Sequence, residues 1–279
     1  MITNDGKLLI KRYLMGAESA IARSLALGVA TNAESSTDTS LGFETIRGDI
    51  YLVSYDFTLD RLVFKATIPS EFAGTVYETA LFTLQSNDLA NGYPSRALAT
   101  FDSDTEDWSN ATFTTTAARI GADALIHTPA TSTSVTSALT NLALDLSGYS
   151  NSDQMRFAYN VGNANASLIR FRFMTDASNY YDFTMAAPGT AGYKTTSVNK
   201  STAVVTGAPS WGNITEIDVT TTSGAGGASS VTYDGIRIED VDTQNTSYVC
   251  VARELLASPF TKVAGTSLDV EFSLAVTIT

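Results

Sequence analysis

Apolar and polar residues alternate with a period of two along much of this chain, as they do in strands that bury one face. The cleanest alternation runs from Leu268 to Ile278. Two further stretches, Ile50–Tyr55 and Leu62–Ile68, flank a turn at 58–60 and predict a β-hairpin. Another strand is expected from Gly74 to Leu84. The pattern therefore predicts a mainly β fold.

The middle of the chain contains short apolar stretches at regular spacing, separated by clusters of Gly, Asn and Ser. We expect strands at Ala111–Thr115, Ala124–His127, Leu142–Leu146, Met155–Asn160, Leu168–Met174, Tyr180–Met185, Ile214–Thr220 and Val231–Glu239. No helical period lies between them. This spacing is typical of an antiparallel β-sandwich such as a jelly roll.

One short helix is expected near the start of the chain, from Lys7 to Met15, because residues 4–6 can cap it and Gly16 can end it. Further along, Asn87–Pro94 is rich in turn-forming residues and indicates a linker or loop. We therefore place a domain boundary near Ala99.

The tail after residue 242 is too short to fold alone, because isolated domains below about 40 residues usually need disulfides or metals. Its strand must pack on another sheet, and the N-terminal hairpin is the expected partner. The sequence thus predicts a small β-rich domain from residues 1–98 and 243–279, with a short N-terminal helix. Residues 99–242 are predicted to form an inserted antiparallel β-sandwich, jelly-roll-like, whose two ends lie close together.

Composition limits the possible partners of the protein. Hydrophobic residues make up 44% of the chain and charged residues 16%, and the net charge is -12. Such a chain repels phosphate backbones, and its densest basic group is only Lys7, Lys11 and Arg12, so no nucleic-acid partner is expected. The polar N-terminus, with charges among its later apolar residues, fits neither a signal peptide nor a membrane span. Membrane insertion is therefore not expected.

Residue types that support catalysis are scarce. The chain has one cysteine, Cys250, which leaves no disulfide framework and no zinc-binding spacing. His127 is the one histidine and lies at the end of a predicted strand, where a structural role is expected. Among 29 acidic residues no local pattern marks a pair for glycoside hydrolysis. We therefore expect no enzymatic activity and no required cofactor.

An acidic cluster at the entrance of the insert is the candidate metal site. Asp102, Asp104 and Asp107 are close in sequence, and Asp234 near the exit of the insert is expected to approach them. Ca2+ prefers oxygen ligands, so a structural Ca2+ here would pin the two ends of the insert together. The alternative is a solvated acidic loop, since the EF-hand spacing is absent.

Aromatic residues of the insert form a second candidate site. Trp108, Tyr180 and Trp211 could stack on the rings of a glycan. In an alternating strand, Tyr181 and Phe183 share one face and Tyr180 points to the other. We expect Tyr181 and Phe183 to fill the core.

Several motifs resemble those of tailed-bacteriophage virion proteins. In chain order they are Phe43-Glu44-x-x-Arg47, Leu62–Pro69, Tyr77-Glu78-x-x-Leu81-Phe82, Val251-Ala252-Arg253-Glu254 and the terminal strand. The Glu-Val-Gly-Leu pattern of tail-collar types is replaced at 78–82. The insert, which begins with Phe101-Asp102-Ser103-Asp104 and ends with Tyr233-Asp234-Gly235-Ile236, is similar to a carbohydrate-binding-type jelly roll.

The resemblance implies a non-enzymatic virion structural protein, either a capsid decoration or head-fibre protein or a tail-collar-like base, with the sandwich projecting outward. It also implies a homo-oligomer, expected to be a trimer, whose partners are other capsid or tail proteins. The alternative is a tail or baseplate adhesin whose sandwich binds host-surface glycan. In either case the protein would assemble in the host cytoplasm and end at the particle surface.

Overall fold

The computed structural model describes residues 1–70, 72–83, 95–185, 189–241 and 249–275. Within these ranges the regular elements are an α-helix, a 3-10 turn at Lys200–Thr202, and antiparallel β-strands. In chain order they are α1 (Asn4–Leu14), β1 (Ser24–Gly28), β2 (Glu44–Asp56), β3 (Arg61–Ile68), β4 (Gly74–Phe82), β5 (Ser95–Ala99), β6 (Trp108–Ser109), β7 (Phe113–Thr114), β8 (Ala124–His127), β9 (Ser134–Leu139), β10 (Gln154–Val161), β11 (Ala166–Asp176), β12 (Asn179–Met185), β13 (Gly192–Asn199), β14 (Val204–Thr206), β15 (Glu216–Ser223), β16 (Val231–Glu239), β17 (Cys250–Lys262) and β18 (Leu268–Ala275). The predicted mainly β fold is confirmed.

The chain divides into two compact units. Met1–Pro94 and Val241–Thr279 form the first, which we call the base, and Ser95–Asp240 form the second, which we call the sandwich. The predicted boundary after residue 98 falls inside β5, which pairs with β16 of the sandwich. The whole of β5 therefore belongs to the sandwich. The predicted linker, Asn87–Pro94, lies outside the described residues.

The base is built on a six-stranded sheet in the order β17-β4-β1-β2-β3-β18. The long strand β2 pairs with β1 through its first half and with β3 through its second half. Strand β18 pairs with β3 along its whole length, from Leu268 opposite Ile68 to Ala275 opposite Arg61. The predicted pairing of the terminal strand with the hairpin is confirmed. Residues 276–278 of that predicted strand are not described.

Helix α1 packs on β17 at close range. A Cβ atom at Gly6 would lie 2.0 Å from the Val251 carbonyl oxygen, so only glycine permits this approach. The helix begins earlier than predicted, because Thr3 rather than residues 4–6 provides the cap: its Oγ1 accepts a hydrogen bond from the Gly6 N–H at 2.9 Å. Leu9 is buried against the sheet.

Two buried ion pairs lie in the base, one between β17 and β4 and one within β2. Arg253 on β17 donates from Nε to Glu78 Oε2 on β4 at 2.9 Å, and both side chains are fully buried. Arg47 donates from Nε to Glu44 Oε1 at 3.0 Å, and its guanidinium lies 4.1 Å from the centroid of the Phe82 ring. Since Glu78 and Arg253 belong to opposite ends of the chain, their contact joins the two segments of the base.

The sandwich has two sheets with a shared aromatic core. One has the order β13-β10-β16-β8-β7, with β5 also paired to β16, and the other has the order β14-β12-β11-β15-β9-β6. Phe157 of the first sheet stacks on Phe171 of the second, with ring centroids 4.2 Å apart. Ser95 pairs with Glu239, so the two ends of the insert are neighbours in one sheet.

Some predicted strands differ from the observed ones. Strands β8 and β16 have the predicted bounds. The predicted strand Leu142–Leu146 is wrong, because it forms only an isolated bridge between Leu144 and Ile214. Strands β9, β13 and β14 were not predicted. Within the described residues, no helix is long and apolar enough to cross a membrane.

Candidate functional site

The four acidic residues of the predicted calcium site have separate structural environments. Asp102 is buried, and its Oδ2 accepts the Ala122 N–H at 2.9 Å, whereas Asp104 and Asp107 are exposed. Throughout the described ranges, no three Asp, Glu, His or Cys side chains lie close enough to hold a metal ion. The structure therefore does not assemble the predicted set.

Asp234 instead accepts hydrogen bonds from protein groups and so fixes the position of a loop. Its Oδ2 accepts the Arg119 N–H at 3.0 Å and the Tyr193 hydroxyl, and its Oδ1 accepts the Ile120 N–H at 3.3 Å. Burial raises the pKa of Asp234 to about 7, and these hydrogen bonds offset part of that effect. Asp102 and Asp234 thus bind neighbouring backbone groups of the same loop, which explains both carboxylates without a cation.

Trp108, predicted as a glycan-stacking residue, belongs to the core. It is 5% exposed and stacks on Phe101 with ring centroids 4.6 Å apart. Its indole Nε1 donates to Glu106 Oε2 at 2.7 Å. A ring covered in this way offers no face to a ligand, so this prediction is corrected.

Trp211 is half-buried at the edge of the core. Tyr181 stacks on it with ring centroids 3.8 Å apart and planes inclined by 8°. The Lys200 ammonium lies 5.2 Å from the Trp211 ring centroid and donates to the Leu146 carbonyl at 2.8 Å. One face of the indole is therefore occupied by Tyr181, and Trp211 packs a corner of the sandwich.

Tyr180 lies on the outer surface of the second sheet, as the alternation predicts. The guanidinium of Arg172 lies 3.6 Å from its ring centroid. Arg172 also donates two hydrogen bonds to Asp182, at 2.7 and 2.8 Å. Tyr181 and Phe183 point inward and are buried, as expected.

Charged and hydroxyl side chains continue across this surface. Arg172 lies opposite Asp182 on β12 and opposite Asp218 on β15, so charges of alternating sign cross three strands at one level. At the next level, Arg170 Nη2 donates to Thr220 Oγ1 at 3.1 Å. We call the following set the polar face: Arg170, Arg172, Tyr180, Asp182, Asp218 and Thr220.

Asp218 is the most perturbed group of the polar face. Burial, together with a hydrogen bond to the neighbouring Glu216 carboxyl, raises its pKa to about 7. Its Oδ1 atom is buried and has no hydrogen-bond partner among the described residues. Unpaired buried polar atoms are rare in native proteins and costly, so this oxygen is a candidate acceptor for a ligand.

His127 occupies the core, as expected for a structural histidine. Its Nε2 lies 2.9 Å from Ser137 Oγ, and that hydroxyl donates to the Asn110 carbonyl at 2.7 Å. The Ser137 oxygen therefore accepts a hydrogen bond from Nε2–H. Burial lowers the pKa of His127 to about 4, so the ring is neutral at pH 7. Both side chains are buried, which leaves Ser137 with no path to a substrate.

Sequence reasoning selected Tyr180 but missed the charged residues beside it. The signal was present in β11, where Ile169, Phe171 and Phe173 alternate with Arg170 and Arg172. In such a strand the apolar residues face the core, and two arginines share the outer face. Their pairing with Asp182 and Asp218 depends on the register of three strands, which the sequence does not show.

No protein-family model matches the chain, and no curated protein matches it. One similar solved structure is the family 11 carbohydrate-binding module of the cellulase Lic26A-Cel5E of Clostridium thermocellum: TM-score 0.40, 10% identity, 52% of this chain and 94% of that chain covered. Another is the agarase AgWH50C: TM-score 0.39, 10% identity, 53% of this chain and 25% of that chain covered. A third is tailspike protein 4 of bacteriophage CBA120: TM-score 0.23, 10% identity, 58% of this chain and 19% of that chain covered.

The chain spans about a quarter of the agarase and less of the tailspike. Some of the similar structures are carbohydrate-binding modules and others belong to glycoside hydrolases. At these TM-scores the matches carry no information on activity, and they do not show a phage identity. The β-sandwich rests on the sheets of this structure itself.

Proposed function

We propose that this protein is a non-catalytic binding protein whose sandwich binds a glycan through the polar face. The observation that carries the proposal is the arrangement of Tyr180, Arg172 and Asp182. An aromatic ring can stack on a sugar ring, and a paired arginine and carboxylate can donate to and accept from its hydroxyls. The polar face holds these groups on adjacent strands, which fixes their spacing.

The pKa of Asp218 supports the same use of this surface. A carboxyl whose pKa is raised to about 7 is partly protonated at neutral pH, so it can donate to a hydroxyl as well as accept from one. Glycan hydroxyls are suitable partners because each both donates and accepts. A surface with little net charge also suits an uncharged ligand better than it suits a strongly charged ligand.

The test is a glycan array probed with the full-length protein and with two variants of the polar face. Tyr180→Ala removes the aromatic ring. Arg172→Lys keeps the positive charge but loses the bidentate hydrogen bonding of the guanidinium. Arg172→Lys should weaken binding at least about tenfold, since one hydrogen bond to a charged group contributes roughly 1.5–3 kcal/mol. Tyr180→Ala should also weaken binding, because it removes the ring that stacks on the sugar.

Lys194→Ala is the matched control, because Lys194 lies on β13 of the opposite sheet. It should bind as the unchanged protein does. Melting temperatures of all variants exclude unfolding as the cause of a loss. Unchanged binding by both polar-face variants, or no binding to any glycan, would contradict the proposal.

We further propose that the protein is a component of a tailed-phage particle, docked through the base and decorating the capsid. The supporting observation is that Glu44, Arg47, Glu78 and Arg253, which lie in the motifs that resemble virion proteins, form the buried ion pairs of the base. Electron microscopy of labelled particles tests the location. Label on isolated tails would select the adhesin alternative, and label on neither would reject the particle.

A further inference from the structure

The second half of β2 has an unpaired edge. Strand β1 pairs with β2 only as far as Asp49, and β3 pairs with its other edge from Ile50 to Asp56. Within the residues that the structure describes, no strand pairs with the outer edge of Tyr51–Asp56. The backbone groups on that edge are free to pair with another chain.

This edge is apolar as well as unpaired. Tyr51 is 56% exposed, Val53 50%, Phe57 88%, and Leu52 and Tyr55 44% each. Natural proteins usually protect such edges with Lys, Pro or a bulge. The stretch Tyr51–Tyr55 contains no charged residue and no proline, and the irregularity of β2 between Ile50 and Leu52 lies at its start, in the pairing with β3. Exposed apolar stretches of this kind mark interaction surfaces.

We propose that two copies of this chain associate edge to edge through β2, forming one continuous antiparallel sheet across a two-fold axis at Val53. An antiparallel pairing of identical strands is self-complementary, so no other protein is needed to satisfy it. In this register Tyr51 lies opposite Tyr55 of the other copy, and Leu52 lies opposite Ser54.

In this register the two copies bring no pair of like charges directly opposite each other. The chain carries a net charge of -12, which opposes self-association in general. At the β2 edge, however, Asp56 lies opposite Ile50 and Asp49 opposite Phe57, so no two carboxylates face each other. The exposed segment Tyr51–Phe57, which we call the arm, is also held in shape, because Tyr55 packs edge-on against Phe57 with ring centroids 4.8 Å apart.

The area of the patch sets the expected strength. A buried aromatic side chain contributes about 150–250 Å², and the exposed fractions of the patch amount to roughly 500 Å² per copy. Stable interfaces bury about 800 Å² per partner, so a dimer through this edge is at the lower end of specific association. We therefore expect reversible dimerisation that depends on protein concentration.

Sedimentation velocity over a micromolar concentration range measures this directly. The full-length protein should move from 29.6 kDa toward twice that mass as concentration rises. Val53→Asp places two carboxylates opposite each other on the axis and should weaken association at least tenfold. Val263→Asp is the matched control, since Val263 is an exposed valine of the base outside the arm, and it should dimerise normally.

A disulfide tests the register. The native Cys250 is buried, so in Val53→Cys only the introduced thiol is accessible. Directly opposed Cβ atoms in a sheet lie about 4.5–5.5 Å apart, close to disulfide reach. Mild oxidation should link most of this variant into covalent dimers, whereas the exposed control Ser152→Cys should form no cross-link.

Three outcomes would overturn the proposal: a monomer at all concentrations, a trimer, or a dimer that neither Val53→Asp weakens nor Val53→Cys links. A trimer would restore the symmetry that the resemblance implies, since a two-fold pairing accommodates only two copies. None of these outcomes bears on glycan binding, which depends on residues of the sandwich.

Discussion

His127 shows how burial alone fixes the protonation state of a residue. Desolvation lowers its pKa from 6.5 to about 4. Because the unfolded chain takes up this proton near pH 6.5, the contribution of His127 to stability is complete above pH 6.5 and is lost as pH falls toward 4. The loss should reach about 3 kcal/mol.

An NMR titration of the ring protons measures this pKa without ambiguity, because the chain has one histidine. The same titration in concentrated urea provides the reference and should give a value near 6.5. A native pKa near that reference would contradict the buried, neutral ring and its hydrogen bond to Ser137.

Residue types alone suggest which side chains could bind a glycan or calcium. They do not show which of these side chains are left without partners inside the fold. Trp108, Trp211, Asp102 and Asp234 are the residue types that glycan and calcium sites use, and all four have partners within the fold. Tyr180 was placed correctly because strand alternation is local. Whether a neighbouring strand covers a given side chain depends on the tertiary structure, which the local pattern does not show.

At the scale of elements, strands with strong apolar alternation were predictable and polar edge strands were not. Strand β16 lies in the middle of its sheet and is buried along its whole length, so its apolar pattern marks it. Strand β13 is an edge strand whose residues are exposed or half-buried, and its sequence GYKTTSVN has little apolar signal. Its pairing with β10 comes from the backbone, which composition does not encode.

The Glu78–Arg253 ion pair between β4 and β17 should have a large effect on the unfolding free energy. Arg253→Met would leave the buried Glu78 carboxylate without its ion partner, with only backbone N–H groups donating to it. It would also remove the hydrogen bond from Arg253 Nη1 to Asp38 Oδ2 at 2.8 Å. The change should cost about 3–5 kcal/mol of unfolding free energy, measured in urea. The double variant Glu78→Gln/Arg253→Met removes both charges and should be less destabilised than the single one.

Glu254→Gln is the control for this experiment, since Glu254 is the exposed neighbour on the same strand. It should change stability by less than about 0.5 kcal/mol. Equal losses in the single and double variants would show that packing rather than charge compensation dominates at this position.

At the scale of the whole molecule, the insertion was predictable because the terminal strand needed a partner that only the N-terminal segment could supply. We predict that Ser95–Asp240 folds when produced alone, since it has its own aromatic core and its two ends pair as Ser95 with Glu239. Near-UV circular dichroism and cooperative urea unfolding check this. A collapsed state without fixed aromatic signals would show that the sandwich depends on the base.

The neighbouring ends of the sandwich also have a mechanical consequence. A domain joined to its anchor by one terminus transmits the whole of an applied force through a single strand. Here the chain enters through β5 and leaves through β16, which lie side by side and are tethered at the same end. In the proposed function, tension between a bound glycan and the base would be divided between two covalent connections that are pulled in the same direction, and the hydrogen bonds between these strands would not be sheared.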